Sequence, residues 1–132
     1  MKENVLTDKS RVFAVKVIKL YKYLTEVKHE YILSKQLLKS GTSIGANAKE
    51  GAYAQSKADL ITKIFIAQKE CAETEYWLEL LYESEYISKE VFDNVYGDCQ
   101  ELMRILIAST KTLQGKNNAD TSELLETEQY KN

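Results

Sequence analysis

Residues 36–50, QLLKSGTSIGANAKE, place a polar pattern beside an apolar one at helical spacing. The polar residues follow one another at intervals of four, three, four and three, and we call them the polar row: Gln36, Ser40, Ser43, Asn47 and Glu50. The neighbouring apolar or small residues are Leu33, Leu37, Ile44, Ala48 and Gly51. Such intervals keep side chains on one helix face, which in packed helices contacts another helix. A solvated face would carry Lys and Glu without a strict period, so the segment predicts a specific contact with a second helix.

Glycine and other small residues are concentrated in the same segment, at Gly41, Gly45, Ala48 and Gly51. The segment lacks the Lys and Ser/Thr that follow the last glycine of a Walker loop, and it lacks the strand that precedes a dinucleotide fingerprint, so neither nucleotide motif is present. Each glycine inside a helix costs about 1 kcal/mol relative to alanine. Close packing of two helices is the compensation that we expect.

The composition favours helix throughout, because the 132 residues include no proline and only five glycines. No apolar run is long enough for a transmembrane helix, and the first ten residues lack the apolar stretch of a signal peptide. Cys71 and Cys99 fall on apolar helical positions, which predicts reduced core cysteines rather than a disulfide. We therefore expect a cytoplasmic protein with no membrane partner.

The apolar spacing predicts four helices, over residues 8–25, 30–54, 57–85 and 88–115. Ser56 with Asp59, and Ser88 with Glu90, mark the starts of the third and fourth helices. Short connections make long helices antiparallel neighbours, so the predicted fold class is all-α, an up-and-down (antiparallel) four-helix bundle spanning residues 1–115. Residues 116–132 form a polar C-terminal tail, for which we predict disorder, with a short docked helix as the alternative.

Charge is unevenly distributed along the chain. Residues 1–28 carry seven Lys or Arg against three Asp or Glu, whereas residues 56–87 carry three against seven. The first and third helices can therefore attract each other, within one chain or between copies. The net charge of −2 is too acidic for an indiscriminate nucleic-acid binder, for which a pI above ~9 is expected.

Five basic residues form an arc on the first helix: Lys9, Arg11, Lys16, Lys19 and Lys22. This basic arc could follow a phosphate backbone, or it could be an ordinary solvated face, which is the commoner case. Only Tyr23 interleaves with it, so the sequence shows no clear platform for stacking bases. The arc is a candidate nucleic-acid contact.

The third helix is apolar nearly all round, although a bundle helix needs only one apolar stripe of about 100°. The flanking helices could cover the surplus, or a second copy of the chain could cover it. We favour the second copy, because Val12 and Val15 project from the basic side of the first helix. The predicted oligomer interface comprises Val12, Val15, Ile66, Trp77 and Leu81.

Catalytic and metal chemistry find little support in the sequence. A carboxylate-bridged metal pair in a bundle needs two Glu-x-x-His pairs, and the chain has one histidine, His29, in a predicted connection. A lone histidine in a connection is more often a surface residue than the general base of a nucleophile–base pair. We therefore expect no enzymatic activity, no cofactor, no metal and no small-molecule substrate.

The polar row needs partners on the third helix, where the same intervals relate Lys63, Ala67, Glu70, Thr74 and Trp77. A hairpin that turns near residues 55–56 predicts an ion pair between Glu50 and Lys63, and a hydrogen bond from Asn47 or Ser43 to Glu70. We interpret these groups as a network that fixes helix register or subunit arrangement. A ligand or nucleic-acid site is the alternative.

Two motifs carry a family resemblance: QLLKSGTSIGAN at 36–47 followed by Glu50, and Asp59-Leu60 and Lys63 followed by IAQKE at 66–70 and ETEYWL at 73–78. They resemble the four-helix-bundle proteins encoded in intervening sequences of bacterial 23S ribosomal RNA genes, and the resemblance covers residues 8–114. It implies a bacterial cytoplasmic homo-oligomer, typically a ring of five, with no known enzymatic activity. It also maps the family's characteristic Asn, Glu and Lys onto Asn47, Glu50, Lys63 and Glu70.

A related group, the accessory variability proteins of diversity-generating retroelements, is similar in fold. Those proteins bind a reverse transcriptase and nucleic acid through a strongly basic surface, and this chain departs from them in its acidic balance. The expected function is therefore a homo-oligomeric scaffold, pentameric by resemblance, that binds RNA or an RNA-associated protein. The alternative is a protein–protein interaction adaptor, using the acidic third helix and the tail, that makes no direct nucleic-acid contact.

Overall fold

The computed structural model describes residues 5–117, which form four helices: α1 Val5–Glu26, α2 Leu33–Gly51, α3 Lys57–Glu83 and α4 Lys89–Asn117. Each helix packs against the next one along the chain, and α1 also packs against α4. Within residues 5–117 no Cα atoms of the diagonal pairs, α1 with α3 and α2 with α4, lie within 8 Å of each other. The predicted up-and-down four-helix bundle is confirmed. The predicted tail lies outside the described residues, apart from the last two residues of α4.

The helix starts are set by side chains that accept hydrogen bonds from backbone N–H groups of the first turn. Ser56 Oγ accepts from the Asp59 N–H at 3.1 Å, and Asp59 Oδ2 accepts from the Gln55 N–H at 3.3 Å, so the predicted capping pair is present. Ser88 Oγ accepts from the Val91 N–H at 3.2 Å, which confirms the predicted start of α4.

The predicted start of α2 at residue 30 is wrong by three residues, because Glu30 caps the helix from outside. Its carboxylate accepts from the backbone N–H groups of Ile32 (3.1 Å), Leu33 (2.9 Å) and Ser34 (2.7 Å). Burial raises the pKa of Glu30, but these hydrogen bonds together bring that pKa below its ordinary value. Three first-turn N–H groups that no helical carbonyl can satisfy are thereby paired.

The other predicted helix boundaries differ from the observed ones by at most three residues. The first helix begins at Val5 rather than at residue 8. The second ends at Gly51 rather than at residue 54, because the Tyr53 and Ala54 N–H groups bond carbonyls three residues back and tighten the chain into a turn. The fourth continues through Gly115 to Asn117. In the connections, His29 and Glu85 adopt positive φ angles of 56° and 68°.

The core contains Leu37, Ile44 and Ala48 from the predicted apolar face of α2, and it also contains both cysteines. Cys71 and Cys99 are free and buried, as expected, and the Cys99 thiol lies 3.5 Å from the Cys71 carbonyl oxygen. The contact with Cys71 and the burial of the thiol both raise the pKa of Cys99, so it stays protonated. None of the helices described here is long and apolar enough to cross a membrane.

The glycines of α2 lie where that helix crosses its neighbours closely, as expected. A Cβ at Gly41 would lie 2.9 Å from Val17 Cγ2 of α1, and a Cβ at Gly45 would lie 3.3 Å from Ser10 Oγ, also of α1. On the other side, a Cβ at Gly51 would lie 3.0 Å from Leu60 Cδ1 of α3. Small residues therefore let α2 approach both of its neighbours.

The helix α3 is covered by its neighbours on more sides than the sequence indicated. Leu81, which we predicted to face a second copy, is fully buried in the core of its own chain. It packs inside the bundle because α2 and α4 flank α3 on two sides. Ile66 and Trp77 are half-buried, whereas Phe65 and Tyr76 are exposed. The helix α3 therefore does expose apolar side chains, as predicted. The most exposed of them are Phe65 and Tyr76, and not the predicted Ile66, Trp77 and Leu81.

Candidate functional site

The α2–α3 contact carries the first predicted pair of the polar row. Lys63 Nζ donates to Glu50 Oε1 at 2.9 Å, which confirms the predicted ion pair. This hydrogen bond raises the pKa of Lys63. The side chains are 29% and 59% exposed, so water screens the pair and its contribution to stability is small. It serves better to orient the two helices than to hold them together.

The second predicted pair is wrong, and a different hydrogen bond joins the helices. Ser43 Oγ donates to the Lys39 carbonyl (2.7 Å) and Asn47 Nδ2 donates to the Ser43 carbonyl (2.9 Å), so both side chains bond their own helix and not Glu70. Such local bonds compete with longer-range ones for short polar side chains.

Ser40 instead reaches Thr74 of α3, with the two hydroxyl oxygens 2.8 Å apart and both residues buried. Thr74 Oγ1 also lies 2.7 Å from the Glu70 carbonyl, which can accept the threonine proton. The sequence contained the signal for Thr74, because that residue continues the intervals of Lys63 and Glu70 along α3. The Ser40–Thr74 bond is the buried polar contact that fixes the register of α2 on α3.

Glu70 lies in an electrostatically unfavourable position beside the polar row. Burial, and then the charge of Glu73, raise the pKa of Glu70, while Lys39 and Lys69 partly offset the rise. Gln36, at the start of the row, is exposed. The polar row is therefore buried at Ser40 and exposed at both of its ends, Gln36 and Glu50. It does not form a single enclosed site.

Acidic residues of α4 pair with part of the basic arc. Lys9 Nζ lies 3.1 Å from Glu101 Oε2, and Lys16 Nζ bonds both Asp98 Oδ2 and Asn94 Oδ1, the latter at 2.8 Å. The attraction between α1 and α3 within one chain, which we allowed for, does not occur, because the two helices are diagonal in the bundle. The acidic partner of α1 is α4.

The remaining members of the arc are more open to solvent. Arg11 makes a long contact, 3.8 Å, with Asp8 of the preceding turn, and Lys19 and Lys22 are exposed. Between them, Val12 and Val15 are 62% and 47% exposed. This outer face of α1, comprising Arg11, Val12, Val15, Lys19 and Lys22, combines apolar and cationic side chains.

On α3, Trp77 stands beside exposed aromatic and acidic groups. Its indole N–H is buried but has no hydrogen-bond partner among residues 5–117, and its ring packs edge-on against Tyr76 at 5.1 Å. A buried donor without an acceptor costs about 1–3 kcal/mol. An acceptor from another molecule would remove that cost.

An aromatic stack between α3 and α4 was missed by the sequence reasoning. The rings of Tyr82, Phe92 and Tyr96 stack in series at 4.8 and 4.6 Å. Tyr96 also donates to Glu79 Oε2 at 2.7 Å, and this bond, with burial, raises the pKa of the Tyr96 hydroxyl. The four-residue interval from Phe92 to Tyr96 was the available signal. With its rings packed on one another, the stack is a structural element of the bundle.

Side chains suited to metal binding do not cluster among residues 5–117. Among residues 5–117, no three His, Cys, Asp or Glu side chains are arranged to hold a metal ion. His29 is exposed on the α1–α2 connection, where its Nδ1 lies 3.1 Å from the Tyr31 hydroxyl.

An antiparallel four-helix bundle with a polar α2–α3 contact defines the structural class. The sequence model of the family described as 23S rRNA-intervening sequence protein matches residues 2–108, and the chain belongs to this family. The resemblance found in the sequence motifs is thereby confirmed.

One solved structure similar to the chain is the crystal structure of a protein with unknown function from the S23 ribosomal protein family of Bacteroides thetaiotaomicron VPI-5482. The two sequences are 50% identical, the TM-score is 0.80, and the match covers 81% of this chain and 99% of the other. The comparison with curated proteins finds no match.

Proposed function

We propose that the chain is a non-enzymatic scaffold that assembles as a homo-oligomer, with a pentamer favoured, and presents a surface for RNA or an RNA-associated protein. The observation that carries the assembly is the outer face of α1, where Val12 and Val15 stay exposed at helical spacing. Removing such side chains from water is favourable at about 25 cal/mol per Å² of apolar surface. Within one chain, residues 5–117 cover these two side chains only in part.

Charge supports a contact between copies. The outer face of α1 is cationic, and α3 exposes Glu73 and Glu83 as well as the rings of Phe65 and Tyr76. Because α1 and α3 lie on a diagonal of the bundle, their outward-facing opposite charges can act between subunits. Two different faces in contact make a heterologous interface, which closes into a ring when the rotation between subunits allows it.

The suggestion of RNA as partner rests on the family description, which refers to 23S rRNA intervening sequences, and on the exposed cations Arg11, Lys19 and Lys22. The second candidate is a protein-binding adaptor without nucleic-acid contact. The pairing of Lys9 with Glu101 and of Lys16 with Asp98 favours this second candidate, because it neutralises two of the five charges in the basic arc.

Retention on structured RNA, measured across a salt series, separates the two candidates. The matched variants are Lys19→Glu with Lys22→Glu on α1, and Lys35→Glu with Lys49→Glu on α2, which reverse the same number of exposed charges. Direct binding predicts a salt-dependent affinity that the α1 variant loses and the α2 variant keeps, with a slope that falls by about one unit per lost phosphate contact. Because Lys19 and Lys22 also belong to the proposed subunit interface, the mass of each variant is measured by light scattering, and a loss of retention indicates direct RNA contact when that mass equals the natural chain's. No retention at low salt would instead support the adaptor.

The same proposal places the protein in the bacterial cytoplasm and assigns it no catalytic step. It is supported by two free buried cysteines, which suit a reducing compartment. It is also supported by the position of the chain's one histidine, which lies on an exposed connection away from the cavities between the helices. Recognition, rather than chemistry, is the activity that these surfaces suit.

A further inference from the structure

A cavity of about 660 Å³ opens at the end of the bundle where α1 and α3 begin and α2 and α4 end. Its walls are mainly apolar and come from all four helices, including Leu6, Ala48, Leu60, Ile64, Ile105 and Leu113. Its volume lies within the range of about 300–1,000 Å³ that is usual for ligand pockets. Exposed apolar walls of this size favour an occupant that removes them from water.

The cavity exists because small residues cluster at these helix ends. Gly51 and Ala52 line it from the end of α2, and Ala108 and Ser109 line it from α4. Larger side chains at these positions would fill the space from within. The bundle instead leaves room for a side chain that arrives from elsewhere.

We propose that Leu124 and Leu125 of the chain's own C-terminal segment occupy this cavity. The helix α4 ends at Asn117, one turn beyond Leu113 on the cavity wall. Leu124 follows seven residues later, and seven residues span up to about 23 Å, which is enough for the chain to reverse direction and reach the wall. The two leucines are the only adjacent aliphatic pair in residues 118–132.

The extent of the family match supports this choice of occupant. The match ends at residue 108, and the solved relative is covered over 99% of its length by only 81% of this chain. Leu113, on the wall, and the leucine pair therefore both lie beyond the family match. Three of the twelve lining residues, Ser109, Thr112 and Leu113, thus lie in the same additional segment as the leucine pair, and they complete a wall whose other nine residues lie within the match.

Charge is also complementary between the segment and the end of the bundle. Residues 118–132 contain four acidic residues and one lysine: Asp120, Glu123, Glu126, Glu128 and Lys131. Four basic residues adjoin cavity-lining residues in the sequence, Lys49, Lys63, Arg104 and Lys111, against two acidic ones, Glu50 and Asp59, so the rim carries an excess of positive charge. The attraction steers the segment toward the cavity, and the leucines then fill it.

Methyl NMR on the full chain tests the proposal directly. We expect cross-peaks between the methyl groups of Leu124 or Leu125 and those of Leu60 or Leu113. A mixed sample of differently labelled chains shows whether the cross-peaks arise within one chain. Leucine methyls at random-coil shifts without these cross-peaks, or cross-peaks only between different chains, would overturn the proposal.

Binding of a hydrophobic dye gives a second readout. Leu124→Ser with Leu125→Ser should open the cavity, because each lost leucine shifts the docking equilibrium by on the order of tenfold or more. Thr121→Ser with Thr127→Ser is the matched control in the same segment and should bind dye as the natural chain does. Equal dye binding by the natural chain and the leucine variant would overturn the proposal. The result does not depend on the proposed assembly, since a monomer suffices.

Discussion

Replacing Gly41 with alanine tests the close crossing of α1 and α2. The added Cβ would lie 2.9 and 3.0 Å from the two Val17 methyl groups, well inside the ~3.5–4.0 Å at which carbon atoms attract. Val17 is fully buried and has little room to move. Overpacking of this kind costs about 1–3 kcal/mol, and the higher helix propensity of alanine returns up to about 1 kcal/mol. We expect a net loss of about 1–2 kcal/mol in unfolding free energy.

The matched control is Gly97→Ala on α4, where an added Cβ meets nothing within 4 Å. This variant keeps the propensity gain without the clash, so it should be stabilised by about 0.5–1 kcal/mol. The difference between the two variants isolates the steric cost. The assay is urea unfolding followed by far-ultraviolet circular dichroism at one protein concentration, because assembly stabilises folded chains by mass action. Equal stabilisation of both variants would refute the close crossing.

Three further changes have defined outcomes. Ser40→Ala should cost about 1 kcal/mol of unfolding free energy, and a double-mutant cycle with Thr74→Val should show coupling of about 0.5–1.5 kcal/mol. Glu30→Gln should cost about 0.5–2 kcal/mol at neutral pH. Because the folded-state pKa of Glu30 is lowered, its stabilisation is present above the unfolded pKa of about 4.3 and is lost as pH falls through the folded value, so the variant and the natural chain should converge in urea unfolding at acid pH. Val12→Asp with Val15→Asp should reduce the mass measured by light scattering and leave the helical circular dichroism unchanged.

The serine and valine changes each have a control of the same chemistry. Ser43→Ala removes a hydroxyl that bonds only the Lys39 carbonyl of its own helix, so its effect should stay within about 0.5 kcal/mol. Val27→Asp alters an exposed valine on the α1–α2 connection and should leave the mass unchanged. A loss for Ser43→Ala as large as that for Ser40→Ala would contradict the register role of the Ser40–Thr74 bond. A mass lowered equally by Val27→Asp would contradict an interface on α1.

The sequence was sufficient for the fold because periodicity and capping residues act locally. Apolar spacing, together with Ser56 and Ser88, located the helices, and the glycines of α2 indicated a close crossing. The Glu50–Lys63 pair followed from the hairpin register alone, since the two residues flank one short turn. These inferences need only the geometry of a helix and of one connection.

The remaining errors involve choices that depend on three-dimensional neighbours. Whether Ser43 bonds its own backbone or a facing helix depends on which acceptor is nearer, and the sequence does not contain that distance. The cap by Glu30 is an unusual use of a glutamate four residues before Ser34. Leu81 appeared to be surplus on α3, but the packing of α2 and α4 against α3 buries it. Periodicity gives faces, and only the assembled bundle shows which face each neighbour covers.

The absolute mass in solution tests the central claim most directly. Light scattering coupled to size-exclusion chromatography, over a range of concentrations, should give a mass that is a multiple of the 15.1 kDa chain, with five copies favoured. The same measurement on the variant with Val12→Asp and Val15→Asp should move toward one copy. A single species of 15.1 kDa at every concentration for the natural chain would contradict the proposed homo-oligomeric scaffold.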